Sequence, residues 1–174
     1  MTCCVALKNK NQIICASDSL ATVIGDKRKT YCNKIITKSS KLTLLISGSG
    51  VLSFFEYFSP PKKKFFQSDF NYVQMMCKNV FETAFKKYNW KYSLIIIYNN
   101  NIYRMYHDFS IKHLESVIIG AVPSKFLPKN KNNPEYVNFN KISHCVESAV
   151  DIVKEAIKEY PESVGGSINT KIIL

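Results

Sequence analysis

The sequence predicts an α+β fold, a sandwich of two β-sheets covered by helices. Apolar, strand-like segments form two blocks, one before residue 50 and one between residues 92 and 120. A stretch with helical periodicity separates the two blocks, and an amphipathic helix and a closing strand follow the second block. Strands and helices grouped in this way are typical of proteins whose helices cover the outer faces of sheets.

Length and composition are those of a single domain that covers residues 1–174. A chain of 174 residues can bury roughly 70% of its unfolded surface around one core. A content of 46% hydrophobic and 21% charged residues is ordinary for globular proteins. No apolar run approaches the ~20 residues of a membrane span, and the chain start lacks the basic segment of a signal peptide. We therefore expect a cytoplasmic protein with no membrane partner.

The first strand block begins with a β-hairpin. Residues 2–7 and 12–19 are apolar segments, and the polar turn Lys8-Asn9-Lys10-Asn11 joins them. An antiparallel hairpin of this length returns the end of its second strand to the start of the first. We therefore expect Asp18 to lie beside Thr2.

The remaining elements complete the sandwich. Further strands are predicted at residues 33–36, 42–50, 92–98, 102–107, 116–120 and 167–174, and helices at 51–58, 69–87 and 142–157. The strand at 42–50 ends in a glycine turn that opens a helix. Residues 123–138 are polar and rich in Pro and Asn, which predicts a loop.

Thr2 directly follows the initiator Met1 and is a candidate nucleophile. Initiator methionine is usually removed before a small second residue, and its loss would expose both the hydroxyl and the α-amine of Thr2. A threonine hydroxyl is a poor nucleophile without an adjacent base, which an N-terminal threonine carries in its own amine. Such an amine titrates near ~8, so it is partly neutral at physiological pH.

Asp18, Lys34 and the segment Ser47-Gly48-Ser49-Gly50 complete a pattern around Thr2. The pattern resembles that of the proteasome-type N-terminal nucleophile hydrolases, the family of proteasome β subunits and the HslV peptidase. In that family the N-terminal threonine attacks, an aspartate ends the second strand, a lysine begins the third, and a glycine contributes a backbone N–H to the oxyanion hole. Thr2, Asp18, Lys34 and Gly48 fall at the matching offsets. The resemblance covers nearly all of the chain and implies a four-layer αββα sandwich of two mainly antiparallel sheets.

The resemblance implies a threonine endopeptidase that hydrolyses peptide bonds inside a self-compartmentalised ring. Its catalytic lysine would stabilise negative charge on the threonine hydroxyl, and its aspartate would hold that lysine. The implied residues of the first substrate pocket are Ala21, Thr22, Ile46 and Gly50. The implied partners are a peptide or unfolded protein as substrate, further copies of the chain in a homo-oligomeric ring, and an ATPase unfoldase or activator. No cofactor and no metal is expected, because the three histidines show no metal-ligand spacing.

The C-terminal half departs from the family pattern at two places. The family has a serine after its sixth strand that bonds the amine of the nucleophile, but this chain has Ala121 there. The family also carries an aspartate, and a serine three residues later, before its last glycine pair. Pro161 and Val164 occupy those positions in strict register. Glu162 and Ser163 would substitute for them if the loop shifts by one residue, and Ser163 is the predicted support residue.

Other functions compete with the peptidase hypothesis. A non-catalytic ring or scaffold subunit would keep the same fold, and a retained Met1 would favour it. The net charge of +11 is compatible with nucleic-acid binding. However, the basic clusters at 27–29 and 62–64 lie in predicted loops without a binding motif, so nucleic acid is not favoured as a partner. The six cysteines are interpreted as small core residues in a reducing compartment, with Cys3 or Cys4 as an alternative nucleophile.

Overall fold

The computed structural model describes residues 2–22, 28–48, 69–88, 92–129 and 137–174. The strands in these ranges are β1 Cys3–Asn9, β2 Gln12–Asp18, β3 Leu20–Thr22, β4 Lys29–Tyr31, β5 Ile35–Ser39, β6 Leu42–Gly48, β7 Tyr92–Tyr98, β8 Asn101–Met105, β9 Ile111–Leu114, β10 Ser116–Gly120 and β11 Ile168–Ile173. The α-helices are α1 Phe70–Tyr88 and α2 Val146–Glu159. Short 3₁₀ turns at Ser124–Phe126 and Phe139–Lys141 lie between β10 and α2.

The strands form two larger antiparallel sheets and a short ribbon. The first sheet has the order β10-β1-β2-β11, and the second has the order β5-β6-β7-β8-β9. The ribbon pairs β3 with β4. The hairpin predicted at the chain start is present, with Cys4 opposite Ser17 and Asn9 opposite Gln12.

The two sheets pack face to face, and their core follows from the alternation of side chains along each strand. In β1, Cys4 and Ala6 face the second sheet, whereas Cys3 and Val5 face α2. The second sheet contributes Ile35, Leu45, Ile95, Ile97 and Ile102 to this core. Because both faces of the first sheet are covered, β1 is apolar at successive positions instead of at alternate ones.

A helix covers the outer face of each sheet. The residues of α2 that pack on the first sheet recur at helical spacing, and they are Ala149, Ile152, Val153 and Ala156. The residues of α1 that pack on the second sheet are Val73, Cys77, Val80 and Phe81. The layers therefore follow the order helix, sheet, sheet, helix. This confirms the predicted αββα sandwich in the part of the chain that the structure describes.

The second sheet contains a strand that the sequence did not predict. The strand expected at 102–107 ends at Met105, and a turn with Phe109 at a φ of 65° leads into β9. β9 has four residues and lies at the edge of the sheet, with two of its side chains exposed. A segment this short gives too weak a period-two signal to be recognised. The predicted helix at 51–58 and the basic cluster at 62–64 lie outside the described residues.

Candidate active site

Thr2, Asp18 and Lys34 lie together, and Lys34 contacts both of the other residues. Thr2 immediately precedes β1 and Asp18 ends β2, so the antiparallel hairpin brings them together. Lys34 immediately precedes β5, a strand of the second sheet. Its side chain therefore reaches from the second sheet to residues of the first sheet. The arrangement of the three residues depends on how the two sheets pack.

The Lys34 ammonium uses all three of its hydrogen-bond donors. Its Nζ atom lies 2.5 Å from Thr2 Oγ1, 2.9 Å from Asp18 Oδ2 and 2.6 Å from the Leu20 carbonyl oxygen. An ammonium group has three donors and no acceptor. Lys34 is thus placed to stabilise negative charge on Thr2 Oγ1, but as an ammonium it has no lone pair with which to remove the hydroxyl proton.

Asp18 holds the group together from the opposite side. Its Oδ1 accepts a hydrogen bond from the Cys3 N–H at 2.8 Å, and its Oδ2 accepts one from the Gly165 N–H at 3.3 Å in addition to the Lys34 bond. Thr2 is 2% exposed, and Asp18 and Lys34 are 0% exposed. Buried charges are tolerated when they are paired and hydrogen-bonded, and these contacts meet both conditions.

The main chain of Thr2 is held by β10. The Ala121 N–H donates to the Thr2 carbonyl oxygen at 2.7 Å, just past the end of that strand. Gly120 has a φ of +87°, and a Cβ atom added there would lie 1.8 Å from the Thr2 carbonyl oxygen. A side chain at position 120 is therefore excluded by the backbone of the candidate nucleophile itself.

We expect Gly120→Ala to destabilise the protein and to displace Thr2. The positive φ alone costs a non-glycine residue about 1–3 kcal/mol, and the clash with the Thr2 carbonyl adds to that cost. Urea unfolding measures the loss. Gly165→Ala is the matched control, because its added carbon would meet Leu20 at 3.4 Å, an ordinary contact. Equal stabilities of the two variants would contradict this account of Gly120.

The structure describes three of the four predicted pocket residues. Ala21 lies within β3 opposite Thr30, and Thr22 ends the same strand. Ile46 has no exposed surface and packs in the core beneath α1, so in this chain its side chain forms core instead of an open wall. Gly50 lies outside the described residues.

Gly48 lies at the end of the second sheet that approaches Thr2. It closes β6 and is paired with Tyr92. β6 lies against β1, since the Cys4 thiol donates to the Ile46 carbonyl oxygen at 3.4 Å. The Thr2 carbonyl oxygen and Ser47 Oγ also both lie against the position that a Cβ atom would take at Gly120, so the end of β6 lies near the start of β1.

Ser163 does not reach the candidate site. It is half-buried in the turn after α2, where its N–H donates to the Tyr160 carbonyl. Within the described part of the chain, no hydrogen bond or ion pair joins its side chain to Thr2, Asp18 or Lys34. Gly165 supplies the contact from this loop instead, through its backbone. The glycine pair at 165–166 was the available sequence signal, but it does not indicate which N–H is used.

The thiols of Cys3 and Cys4 are poor competitors for the role of nucleophile. Burial raises the pKa of Cys3 above its usual range, with the Asp18 charge adding to the rise and the Lys34 charge opposing it. Burial likewise raises the pKa of Cys4 well above its usual value. The thiolate is the nucleophilic form of cysteine. Both residues are therefore unreactive core side chains. All six cysteines are free thiols.

The described residues contain neither a metal site nor a membrane-spanning helix. No cluster of three or more His, Cys, Asp or Glu residues in these ranges is placed to hold a metal ion. No helix in the same ranges is long and apolar enough to cross a bilayer.

The fold matches solved structures of proteasome-like proteins over nearly the whole chain. BPH of Thiobacillus denitrificans, solved in complex with epoxomicin, has a TM-score of 0.65 at 14% identity, and the match covers 98% of this chain and 97% of that one. HslV of Trypanosoma brucei has a TM-score of 0.59 at 12% identity, with 98% of each chain covered. Anbu, an ancestral β-subunit from Yersinia bercovieri, has a TM-score of 0.64 at 14% identity, with 98% and 81% covered. No protein-family model and no curated protein sequence matches the chain.

These matches, together with the two-sheet architecture, place the fold in the class of αββα sandwiches. Within that class the chain has a proteasome-like fold, similar to those of HslV and the Anbu β-subunit. The predicted fold is therefore confirmed. At 12–14% identity the likeness establishes the fold alone.

Proposed function

We propose that the protein is a threonine peptidase whose nucleophile is Thr2, exposed by the removal of Met1. The observation that carries the proposal is the 2.5 Å contact from Lys34 Nζ to Thr2 Oγ1, with the same ammonium bonded to Asp18. A fully buried ion pair often stabilises a fold no better than apolar residues of similar volume. Fold stability therefore does little to explain why this buried ion pair is present. Stabilisation of a developing alkoxide on Thr2 does explain it.

The proton of the Thr2 hydroxyl passes to the α-amine of the same residue. That amine is the base available to an N-terminal threonine, and Lys34, with three donors engaged, supplies positive charge instead. As the proton leaves, Oγ1 forms a bond to the carbonyl carbon of the substrate peptide. The carbonyl π bond opens, and negative charge moves to the substrate oxygen.

The Gly48 N–H is the proposed donor to that oxyanion. A fixed donor of this kind typically contributes about 10²–10³ in rate. Collapse of the intermediate breaks the C–N bond, and the Thr2 ammonium returns its proton to the departing amine. The acyl group remains as an ester on Oγ1. Water, deprotonated by the freed α-amine, then hydrolyses the ester and regenerates Thr2.

The proposed substrate is a peptide or an unfolded protein, cleaved in the cytoplasm by a homo-oligomeric ring. Solved proteins of similar fold include an HslV and an Anbu β-subunit, and this supports an oligomeric assembly. An ATPase unfoldase or activator would deliver folded substrates. Ala21, Thr22 and Gly50 are the proposed pocket residues, with Ile46 supporting them from the core. An extended substrate would add its backbone to an exposed strand, the usual mode for such recognition.

A non-catalytic subunit of the same fold is the second candidate. Position 121, where the family has a serine, contributes a backbone N–H to Thr2, and its alanine side chain has no hydrogen-bonding group. Ser163, the predicted support residue, lies in the turn beyond α2. If the protein is such a subunit, Met1 is retained, and the buried ion pair between Lys34 and Asp18 is kept as part of the structure without a catalytic role.

An intact-mass measurement with a peptide epoxyketone separates the two candidates. Epoxomicin is the ligand of the similar BPH structure, and an epoxyketone requires both the free amine and the hydroxyl of an N-terminal threonine. We expect the purified protein to lack Met1 and to gain the mass of one inhibitor, with the adduct mapped to Thr2 by fragmentation. A retained Met1, or a mature chain that forms no adduct, would overturn the peptidase proposal.

A further inference from the structure

Arg104 and Lys112 bring two positive charges together on the last two strands of the second sheet. They lie directly opposite each other in the β8–β9 pair, so their side chains share one face of that sheet. The guanidinium carbon of Arg104 lies 4.4 Å from the centroid of the Tyr106 ring, and Lys112 Nζ lies 5.3 Å from the same centroid. Like charges directly opposite each other destabilise a strand pair. An anion bound beside both residues would relieve this repulsion.

No carboxylate of the described residues neutralises these two charges. None of the ion pairs in the described ranges includes Arg104 or Lys112. Arg104 donates its Nε–H to the Ser93 hydroxyl at 3.3 Å, which leaves the terminal N–H groups of the guanidinium for another acceptor. The Tyr106 ring attracts cations through its quadrupole but carries no net charge. A guanidinium binds a carboxylate through two parallel N–H···O bonds and a lysine adds a point charge, so a carboxylate is the anion that fits this pair.

The two cations lie on the inner face of the second sheet, at the end that carries Gly48. The deeper part of this face is apolar, and the residues that come next toward the Gly48 end are polar. The apolar residues are Leu45, Ile95, Ile102 and Leu114, and the polar ones beside them are Ser47, Ser93, Arg104 and Lys112. Ser47 Oγ and the Thr2 carbonyl oxygen both lie against the position that a Cβ atom would take at Gly120. The polar end of this face therefore leads from the candidate nucleophile to Arg104.

Arg104 lies on the side of Gly48 opposite the proposed substrate pocket. Lys34, which precedes β5, donates to the carbonyl of Leu20, the first residue of β3, and β3 carries the pocket residue Ala21. The pocket thus lies on the β5 side of β6, whereas β7 and β8 lie on the other side. Neighbouring strands are about 4.8 Å apart and an extended peptide advances about 3.3 Å per residue. The two strand spacings from β6 to β8 therefore correspond to about three residues of a bound peptide.

We propose that Arg104 and Lys112 form a subsite for a carboxylate of the peptide substrate, about three residues after the bond that is cleaved. This part of the peptide leaves with the new amine, while the acyl part stays on Thr2 beside the Ala21 pocket. Arg104 is half-buried and Lys112 is exposed, so a bound peptide can reach both. The carboxylate is that of an Asp or Glu side chain, or the C-terminal carboxylate of a substrate that ends there. The substrate preference rests on the proposed function, whereas carboxylate binding by the two cations does not.

An NMR titration tests carboxylate binding without requiring activity. The sequence contains two arginines, Arg28 and Arg104, so labelling with ¹⁵N-arginine gives two Nε–H signals, and Arg104→Lys identifies the one from Arg104. The probes are two acetylated and amidated peptides that differ in one residue, glutamate or glutamine, and the protein is Thr2→Ala, which cannot cleave them. We expect the glutamate peptide to shift the Arg104 signal and leave the Arg28 signal in place, and the glutamine peptide to shift neither. An unmoved Arg104 signal, or equal shifts with both peptides, would overturn the proposal.

Hydrolysis of internally quenched peptides tests the substrate preference. We expect kcat/KM to be about tenfold higher for a peptide with glutamate three residues after the cleaved bond than for its glutamine counterpart, the effect of one charge-assisted hydrogen bond. Arg104→Gln and Lys112→Gln should remove this preference. Lys41→Gln is the matched control, because it removes the same charge from an exposed position at the opposite end of β6 and should keep the preference.

A third peptide distinguishes the two sources of the carboxylate. It has glutamine at the tested position and ends there with a free C-terminus, so faster cleavage of this peptide than of its amidated form would assign the subsite to a terminal carboxylate. Wild-type protein that cleaves none of the peptides would refute the proposed function, and the Arg104 signal would still decide carboxylate binding. Cleavage of all the peptides at one rate would refute the subsite and leave the peptidase proposal intact.

Discussion

Thr2→Ala is expected to abolish peptide hydrolysis and epoxyketone labelling. The substitution removes the only atom that we propose to bond the substrate carbon, and loss of a covalent nucleophile costs on the order of 10⁶-fold in a serine protease. It also leaves the third donor of Lys34 without its acceptor, so a loss of about 1–3 kcal/mol in unfolding free energy should accompany it. The measurements are hydrolysis of a fluorogenic peptide and urea unfolding of the same preparations.

Thr2→Ser is the matched control for this substitution. It keeps the hydroxyl that contacts Lys34 and is compatible with removal of Met1, so labelling should persist and stability should stay close to that of the wild type. Hydrolysis by Thr2→Ala at the wild-type rate would place the nucleophile elsewhere. Loss of activity in both variants, with both folded, would mean that the methyl group of Thr2 is required for the geometry of the site.

The sheet framework was predictable because its signals are local. The turn at Lys8-Asn9-Lys10-Asn11 and the apolar segments around it specify a hairpin, and the hairpin alone places Asp18 beside Thr2. β9 was not predicted, because the signal that defines this strand is not local. Its four residues lie at a sheet edge, where pairing with β8 holds the strand and the sequence carries little periodic pattern.

The sequence predicted that the side chains of Thr2, Asp18 and Lys34 lie together, but not which main-chain groups bond to them. Lys34 was identified by its offset from Thr2 and the family pattern, since no local property of the sequence requires a buried lysine at that position. The Leu20 carbonyl, the Gly165 N–H and the Ala121 N–H complete the hydrogen bonds of the group. Backbone groups are the same in nearly every residue, so the tertiary structure is needed to show which of them converge on the site.

Ser47 and Ser163 show the same limit for side chains. Ser163 was predicted as support because it lies close to a family position in sequence, yet its turn holds it near Tyr160. Ser47 was noticed only as part of a glycine turn, yet its hydroxyl oxygen and the Thr2 carbonyl oxygen both lie against the position that a Cβ atom would take at Gly120, a residue of the other sheet. A contact between two sheets is set by their packing, which local sequence patterns do not encode.

Lys34→Met is expected to remove activity and to cost a large part of the folding free energy. Methionine matches the length of the lysine stem but leaves the Asp18 carboxylate buried without its counter-ion, at 0% exposure. Breaking a buried ion pair from one side typically costs about 3–5 kcal/mol. Urea unfolding measures the loss, and epoxyketone labelling measures the expected failure of Thr2 to react.

The double variant Asp18→Asn/Lys34→Met separates the structural effect from the chemical one. With both charges removed, no ion is left unpaired, and the amide oxygen introduced at position 18 can still accept the Cys3 N–H bond. We therefore expect the double variant to be more stable than Lys34→Met alone, by about 1–3 kcal/mol of coupling between neighbouring residues, yet equally inert toward the epoxyketone. If the losses of unfolding free energy in Asp18→Asn and Lys34→Met simply added up in the double variant, Asp18 and Lys34 would not act as a unit. If the stabilised double variant reacted with the epoxyketone at the wild-type rate, the charge of Lys34 would be irrelevant to the reactivity of Thr2. The contact between Lys34 and Thr2, on which the peptidase proposal rests, would then be purely structural.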